Sequence, residues 1–262
     1  MPEMYAVNAS FGDGLLQFTT SSSLDQMLIK NAKSIDKSDD ISRVLNGLAR
    51  SSFVFMKNGK PQSKTKRYFR QMYKGENLKH LDQMVRRVSM DRLKRLQDGA
   101  EKKVASFNLT DEITETVGLF VFKAIFGEEI ISEQDTVRLE VDGKQRTLPV
   151  TIAFRVVWRQ TMAKMASMPR LFLFDQLTEW AVTPAERACC RNQAVIRQFF
   201  REKRAQHAEW RKENPIQNAE EDTIYMADLL MADERYEDEE VALDEIASAI
   251  FGLGQTTVSG TI

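Results

Sequence analysis

Apolar residues recur at helical spacing along most of this chain, and short interruptions divide the pattern into separate elements. Near the start, Leu15, Leu16 and Phe18 suggest a short strand. The Thr/Ser cluster from Thr19 to Ser23 leads into Leu24, Met27 and Leu28, which are spaced as a helix. A second short helix is predicted over Asp40 to Arg50. Gly59-Lys60-Pro61 breaks the chain before a basic stretch from Lys64 to Lys74. From Asn77 to Gln97, Leu78, Leu81, Val85, Val88 and Leu93 form one face, with Lys79, Arg86, Arg87, Arg92 and Lys94 on others. The next helix runs from Leu109 to Phe126. Its stripe of Ile113, Val117, Phe120, Val121, Ala124 and Ile125 is wide enough to be largely buried, and Gly127 ends it at the usual place for a left-handed cap.

One stretch follows a different period. Val137, Leu139 and Val141 alternate, Asp142-Gly143 makes a two-residue turn, and Gln145 to Leu148 returns, predicting a hairpin over about 136–149. A lone hairpin is marginal in water, so it is expected as a surface insertion. Val150 to Trp180 is rich in Phe, Trp and Met, and Pro169 divides it into two expected short helices. Thr183-Pro184-Ala185-Glu186 is a helix start with Thr as cap, Pro in the first turn and Glu reaching back to the cap amide. The helix it opens runs to about Lys212, and Asn214-Pro215 stops it. A polar linker, a short helix at Ile224 to Met231 and a last helix from about Glu237 complete the chain.

That last helix carries a broad apolar face of Val241, Leu243, Ile246, Ala249, Ile250, Leu253 and Val258, with acids in its first turn as the helix dipole favours. It meets no stop signal before Ile262, so the expectation is a truncated chain whose missing part covers this helix.

Composition narrows the function classes. With 37 Lys or Arg against 38 Asp or Glu in 262 residues, the chain lacks the cationic surplus of a nucleic-acid binder. Adjacent Cys189 and Cys190 cannot staple a secreted fold, and no signal pattern or apolar run of spanning length is present. The reading is a soluble, intracellular, mainly α chain with a minor β component. His80 and His207 stand far apart on charged helices and read as surface residues. The basic helix with Arg197, Arg201, Lys203, Arg204 and Arg211 reads as a solvated face because Glu202, Glu209 and Glu213 interleave.

The chemistry concentrates in Ala249-Ile250-Phe251-Gly252-Leu253-Gly254-Gln255-Thr256-Thr257-Val258-Ser259-Gly260. Each helical Gly costs about 1 kcal/mol relative to Ala, so its presence asks for a close backbone approach. A flat cofactor is one reason; a tight helix crossing, or a helix end that simply frays, is the alternative. This stretch resembles the oxygen-binding helix of the cytochrome P-450 family of haem-thiolate monooxygenases. Gly252 stands at the small position, Thr256 at the Thr that assists oxygen activation, and Thr257 at the second hydroxyl. Leu253 replaces the usual Gly and Gln255 the usual acid. The upstream order is similar to the same family. Glu221 to Leu230 resembles the Asp-plus-apolar helix before the central one, Ala124-Ile125-Phe126-Gly127 a Phe-Gly helix end, and Lys64 to Arg70 the Trp-x-x-x-Arg helix. There Arg67 matches the propionate-binding Arg, Ser63 stands at the Trp, and Tyr73 at a following Phe.

The resemblance implies one partial domain over 1–262, lacking the N-terminal anchor and sheet and the C-terminal haem-thiolate region. It implies a haem-dependent monooxygenase that inserts one oxygen atom from O2 into a small apolar organic substrate. The cofactor is haem b on a Cys outside this chain, with NADPH electrons from a reductase partner. By the same resemblance, Thr256 and Gln255 are catalytic, Arg67, Gly252 and Thr257 contact the cofactor, and Ile250 and Phe251 border the substrate. Full-length members of eukaryotic type sit at the endoplasmic reticulum membrane, facing the cytoplasm. The fragment alone is expected to bind haem poorly and to be inactive. Gln255 leaves open a peroxide isomerase or dehydratase that needs no external electrons. A helical interaction protein without cofactor is the reading from a different class.

Overall fold

The structure, a computed structural model, describes residues 4–8, 14–18, 47–52, 54, 56, 59–101, 108–165, 183–218 and 222–251. The helix expected at Leu24 to Leu28, most of that at Asp40 to Arg50, the second half of the Val150 to Trp180 region and the segment from Gly252 onward lie outside the described residues. The strand expected at Leu15 to Phe18 is β2 (Gly14–Phe18), which pairs antiparallel with β1 (Met4–Asn8), Met4 opposite Phe18.

The remainder is mainly helical. Pro61 lies in the first turn of α1 (Lys60–Phe69), where its missing N–H is not needed. The helices α2 (Gly75–Glu101) and α3 (Leu109–Phe126) follow. Then come the hairpin of β3 (Thr136–Val141) and β4 (Lys144–Pro149), and α4 (Val150–Met165). The long α5 (Pro184–Glu213) precedes the short α6 (Met226–Ala232) and α7 (Glu239–Ile250). The α5 start is the capping box its sequence describes. Thr183 Oγ1 accepts from the Glu186 N–H at 3.2 Å, and the Thr183 N–H donates to Glu186 Oε2 at 3.1 Å.

The core forms around α3, which buries Leu119, Val121, Phe122, Ala124, Ile125 and Phe126. Phe122 meets Phe126, Phe154, Phe199 and Phe200 at centroid distances of 6.1–6.5 Å, so three helices converge on one aromatic ring. The stripe expected on α2 divides. Leu81, Met84 and Val88 are buried, whereas Leu78, Val85 and Leu93 are exposed. These two sets are rotated from each other around the helix, and its partners cover only the first.

The hairpin turns at Asp142 (φ 53°) and Gly143 (φ 72°), the left-handed pair of a two-residue turn. It is more than a surface insertion, because Leu139 is 0% exposed and joins the main core. The side chain of Asn192 on α5 accepts from the Glu140 N–H at 2.9 Å and donates to the Glu140 carbonyl at 2.8 Å. It stands in for a neighbouring strand, which is why two strands suffice here. No helix among the described residues is long and apolar enough to cross a membrane.

Candidate functional site around the end of α7

The helix α7 is capped by Asp238, whose carboxylate accepts from the Glu240 N–H at 2.9 Å, and Glu239 and Glu240 fill its first turn. Every residue from Ala242 to Ser248 is buried, as is Ile250. That includes Asp244 and Glu245, which a surface helix would turn outward. Their buried carboxylates meet designed partners. The Asp244 Oδ1 accepts from Arg197 of α5 at 2.6 Å, and Oδ2 from the Ser51 N–H at 2.7 Å. Glu245 accepts from the Ser52 hydroxyl at 3.3 Å. Arg197 also donates to the Glu240 carboxylate and to the carbonyls of Glu240 and Leu48. One guanidinium thus joins α5, α7 and the 47–52 turn.

At the far end of α7 the regularity breaks. Ser248 Oγ is buried and has no hydrogen-bond partner among the described residues. Ile250 closes the α-helical run, and the Phe251 N–H donates to the carbonyls of Ala247 and Ser248. Ile250 faces the main core. Phe251 is half-buried and stacks on Trp158 of α4, with centroids 3.5 Å apart and planes at 22°. Both residues, expected beside a substrate, are packed against protein at the junction of α7 and α4. Gly252, Gln255, Thr256 and Thr257 lie outside the described residues.

Arg67 is on the exposed face of α1 and pairs with no carboxylate among the described residues. Its helix is fixed by other residues. Tyr68 donates to the Leu229 carbonyl at 2.9 Å, Arg235 donates to the Thr65 hydroxyl, and Phe69 packs on Tyr236. No contact among the described residues joins Arg67 to Ile250 or Phe251.

Neither cysteine suits a metal. Cys189 is buried, burial pushes its thiol up despite the Thr161 hydroxyl at 3.7 Å, and a soft metal needs the thiolate. Cys190 is half-buried, and no group of three or more His, Cys, Asp or Glu among the described residues is placed to hold a metal ion. A cleft of about 730 Å³ between α2, α3, the 128–135 segment and the start of α4 shares no residue with α7. The ion pairs Arg92–Glu115 and Arg95–Glu133 lie in its wall beside Val88, Leu119, Ile131 and Val150.

The expected surface position of His207 is wrong, because its ring is 0% exposed. Nδ1 lies 2.6 Å from the Phe126 carbonyl and Nε2 lies 2.7 Å from Asp228 Oδ1. Asp228 also accepts two bonds from Arg211, at 2.8 and 2.6 Å, and one from the Tyr225 N–H. Burial pushes this carboxyl up, but the bonds from His207 and Arg211 outweigh it and hold Asp228 below its ordinary range. The solvated reading of the basic helix is corrected with it, since Arg197 and Lys203 are buried and Arg211 covers Trp210. A sequence signal existed. His207 is 7 and 11 positions beyond Phe200 and Ile196, the spacing of one helix face.

No protein-family model matches this chain, and no curated protein matches it.

Proposed function

We propose that this chain forms the oxygen-binding part of a haem-dependent monooxygenase acting on a small apolar organic substrate. The observation that carries the reading is the end of α7. A buried hydroxyl at Ser248, without a hydrogen-bond partner among the described residues, stands four residues before the Gly252 to Thr257 motif. A helix that only fills a core gains nothing from an unsatisfied buried hydroxyl, and such groups in native structures call for a reason.

Haem b is the cofactor of this reading, and the fit of the described residues is partial. Arg67 pairs with no carboxylate among the described residues and is chemically suited to a propionate, while neither cysteine suits the iron, so the thiolate is assigned to polypeptide outside these residues. When bound, that group activates O2 with NADPH electrons delivered by a reductase. The residues of this chain would divide the remaining tasks. Gly252 allows close approach, Thr256 donates a hydrogen bond and passes a proton, and Thr257 offers the second hydroxyl. Gln255 orients water, and Ile250 and Phe251 exclude bulk water beside the substrate. Attachment to the endoplasmic reticulum, facing the cytoplasm, belongs to the same reading and rests on resemblance alone.

Gln255 favours a second reading on the same site. An amide cannot release a proton as a carboxyl does, so the reaction becomes rearrangement or dehydration of a peroxide without external electrons. Turnover of the protein expressed from its complete reading frame, with and without reductase and NADPH, separates the two. Under the first reading, product formation stops without reductase, and Thr256→Ala diverts reducing equivalents from product to hydrogen peroxide. Product formed equally well without reductase would replace the monooxygenase by the peroxide reaction.

A further inference from the structure

Lys164 sits near the end of α4 and is 4% exposed. Among the described residues its ammonium has neither an ion pair nor a hydrogen bond. A buried charge without a partner is costly, and native structures normally supply one. The carboxylates nearby are committed elsewhere. Glu186 accepts from the Thr183 N–H, Glu140 pairs with Arg191, and Glu240 is shared by Arg197 and Arg201.

Lys164 lines a concavity of about 340 Å³ between α4, α5 and the turn at Gly47. Cys190, Gln193, Arg197, Arg201 and Glu240 line it too. Three cations and one carboxylate line it, and both arginines donate to that carboxylate. Among the described residues Lys164 is the cation of the site whose donors are not engaged. Lys164 also lines a second cavity of about 430 Å³, where Glu140, Asp142 and Glu186 supply negative charge that repels an anion. The field therefore directs a negative ligand to the first concavity.

We propose that this concavity binds a small oxyanion, with Lys164 as its charge partner. Carboxylate and phosphate groups both satisfy that chemistry, since each offers oxygen acceptors to an ammonium donor. The site lies away from the Gly252 to Thr257 motif and does not depend on the monooxygenase reading.

Calorimetric titration and thermal unfolding of the whole chain test it, with inorganic phosphate and acetate in separate arms and ionic strength held with chloride. Saturable binding in at least one arm is expected, with a rise in Tm that follows occupancy. The arm that saturates at lower concentration identifies the class. Lys164→Met should weaken that binding by more than about tenfold, and Lys164→Arg, which keeps the charge, should retain it. Absence of saturable binding in both arms would overturn the proposal. So would equal binding by folded Lys164→Met protein.

Discussion

The ring of Phe251 lies on the indole of Trp158, with centroids 3.5 Å apart and planes 22° from parallel. This contact fixes the end of α7 against α4 immediately before the glycine- and threonine-rich segment. Trp158 is buried, and its removal leaves a cavity under the ring. Trp158→Ala should cost about 3 kcal/mol in denaturant unfolding, the low end for such truncations because Phe251 is only half-buried. A loss below about 1 kcal/mol would mean that the stack does not hold the helix end.

Arg197 predicts a larger effect at the other end of α7. Its removal leaves Asp244 buried and unpaired, so Arg197→Met should cost about 3–5 kcal/mol. The double variant Arg197→Met, Asp244→Leu should recover part of that loss, because both charges leave together. Urea unfolding of the two single variants and the double variant measures the coupling directly.

The Asp228 cluster sets a pH dependence with a defined sign. Its native carboxyl binds protons more weakly than the same group in the unfolded chain, whose value is about 3.9. Stability from this group is therefore complete well above about pH 4 and is lost as pH falls through the unfolded value toward the lower native one. Asp233, held down to about 2 mainly by its Arg235 hydrogen bond, acts in the same direction from a more exposed position. Asp228→Asn should lower stability at neutral pH and flatten the acid limb of a plot of stability against pH. An unchanged acid limb would show that Asp228 does not titrate as its surroundings require.

The capping box of α5 predicts a modest and local effect. Thr183→Ala removes the acceptor of the Glu186 N–H and should cost about 1 kcal/mol by chemical denaturation. Thr183→Ser, which keeps the hydroxyl, should be close to neutral.

These four sites differ in how far the chain alone revealed them. The Thr183 cap and the Asp142-Gly143 turn were legible because each is decided within about four residues. The helix at Leu109 to Phe126 was legible because its apolar stripe is unusually wide. His207 and Arg197 were not, because their partners lie 21 and 47 positions away. A buried cation and a solvated one look alike on a helix until the opposing carboxylate is known. The split face of α2 has the same origin, since periodicity reports which residues share a side but not which side a neighbour covers. The stacking of Phe251 on Trp158 was equally illegible, because the two residues lie on helices far apart in the chain.

The central claim concerns the iron porphyrin and its thiolate, and one spectrum addresses it. The protein expressed from its complete reading frame is reduced, exposed to carbon monoxide and recorded against the reduced sample. A Soret difference band at the long-wavelength position of thiolate-ligated haem is the predicted result. A spectrum without any haem band, or with the band of a histidine-ligated haem, would contradict the account.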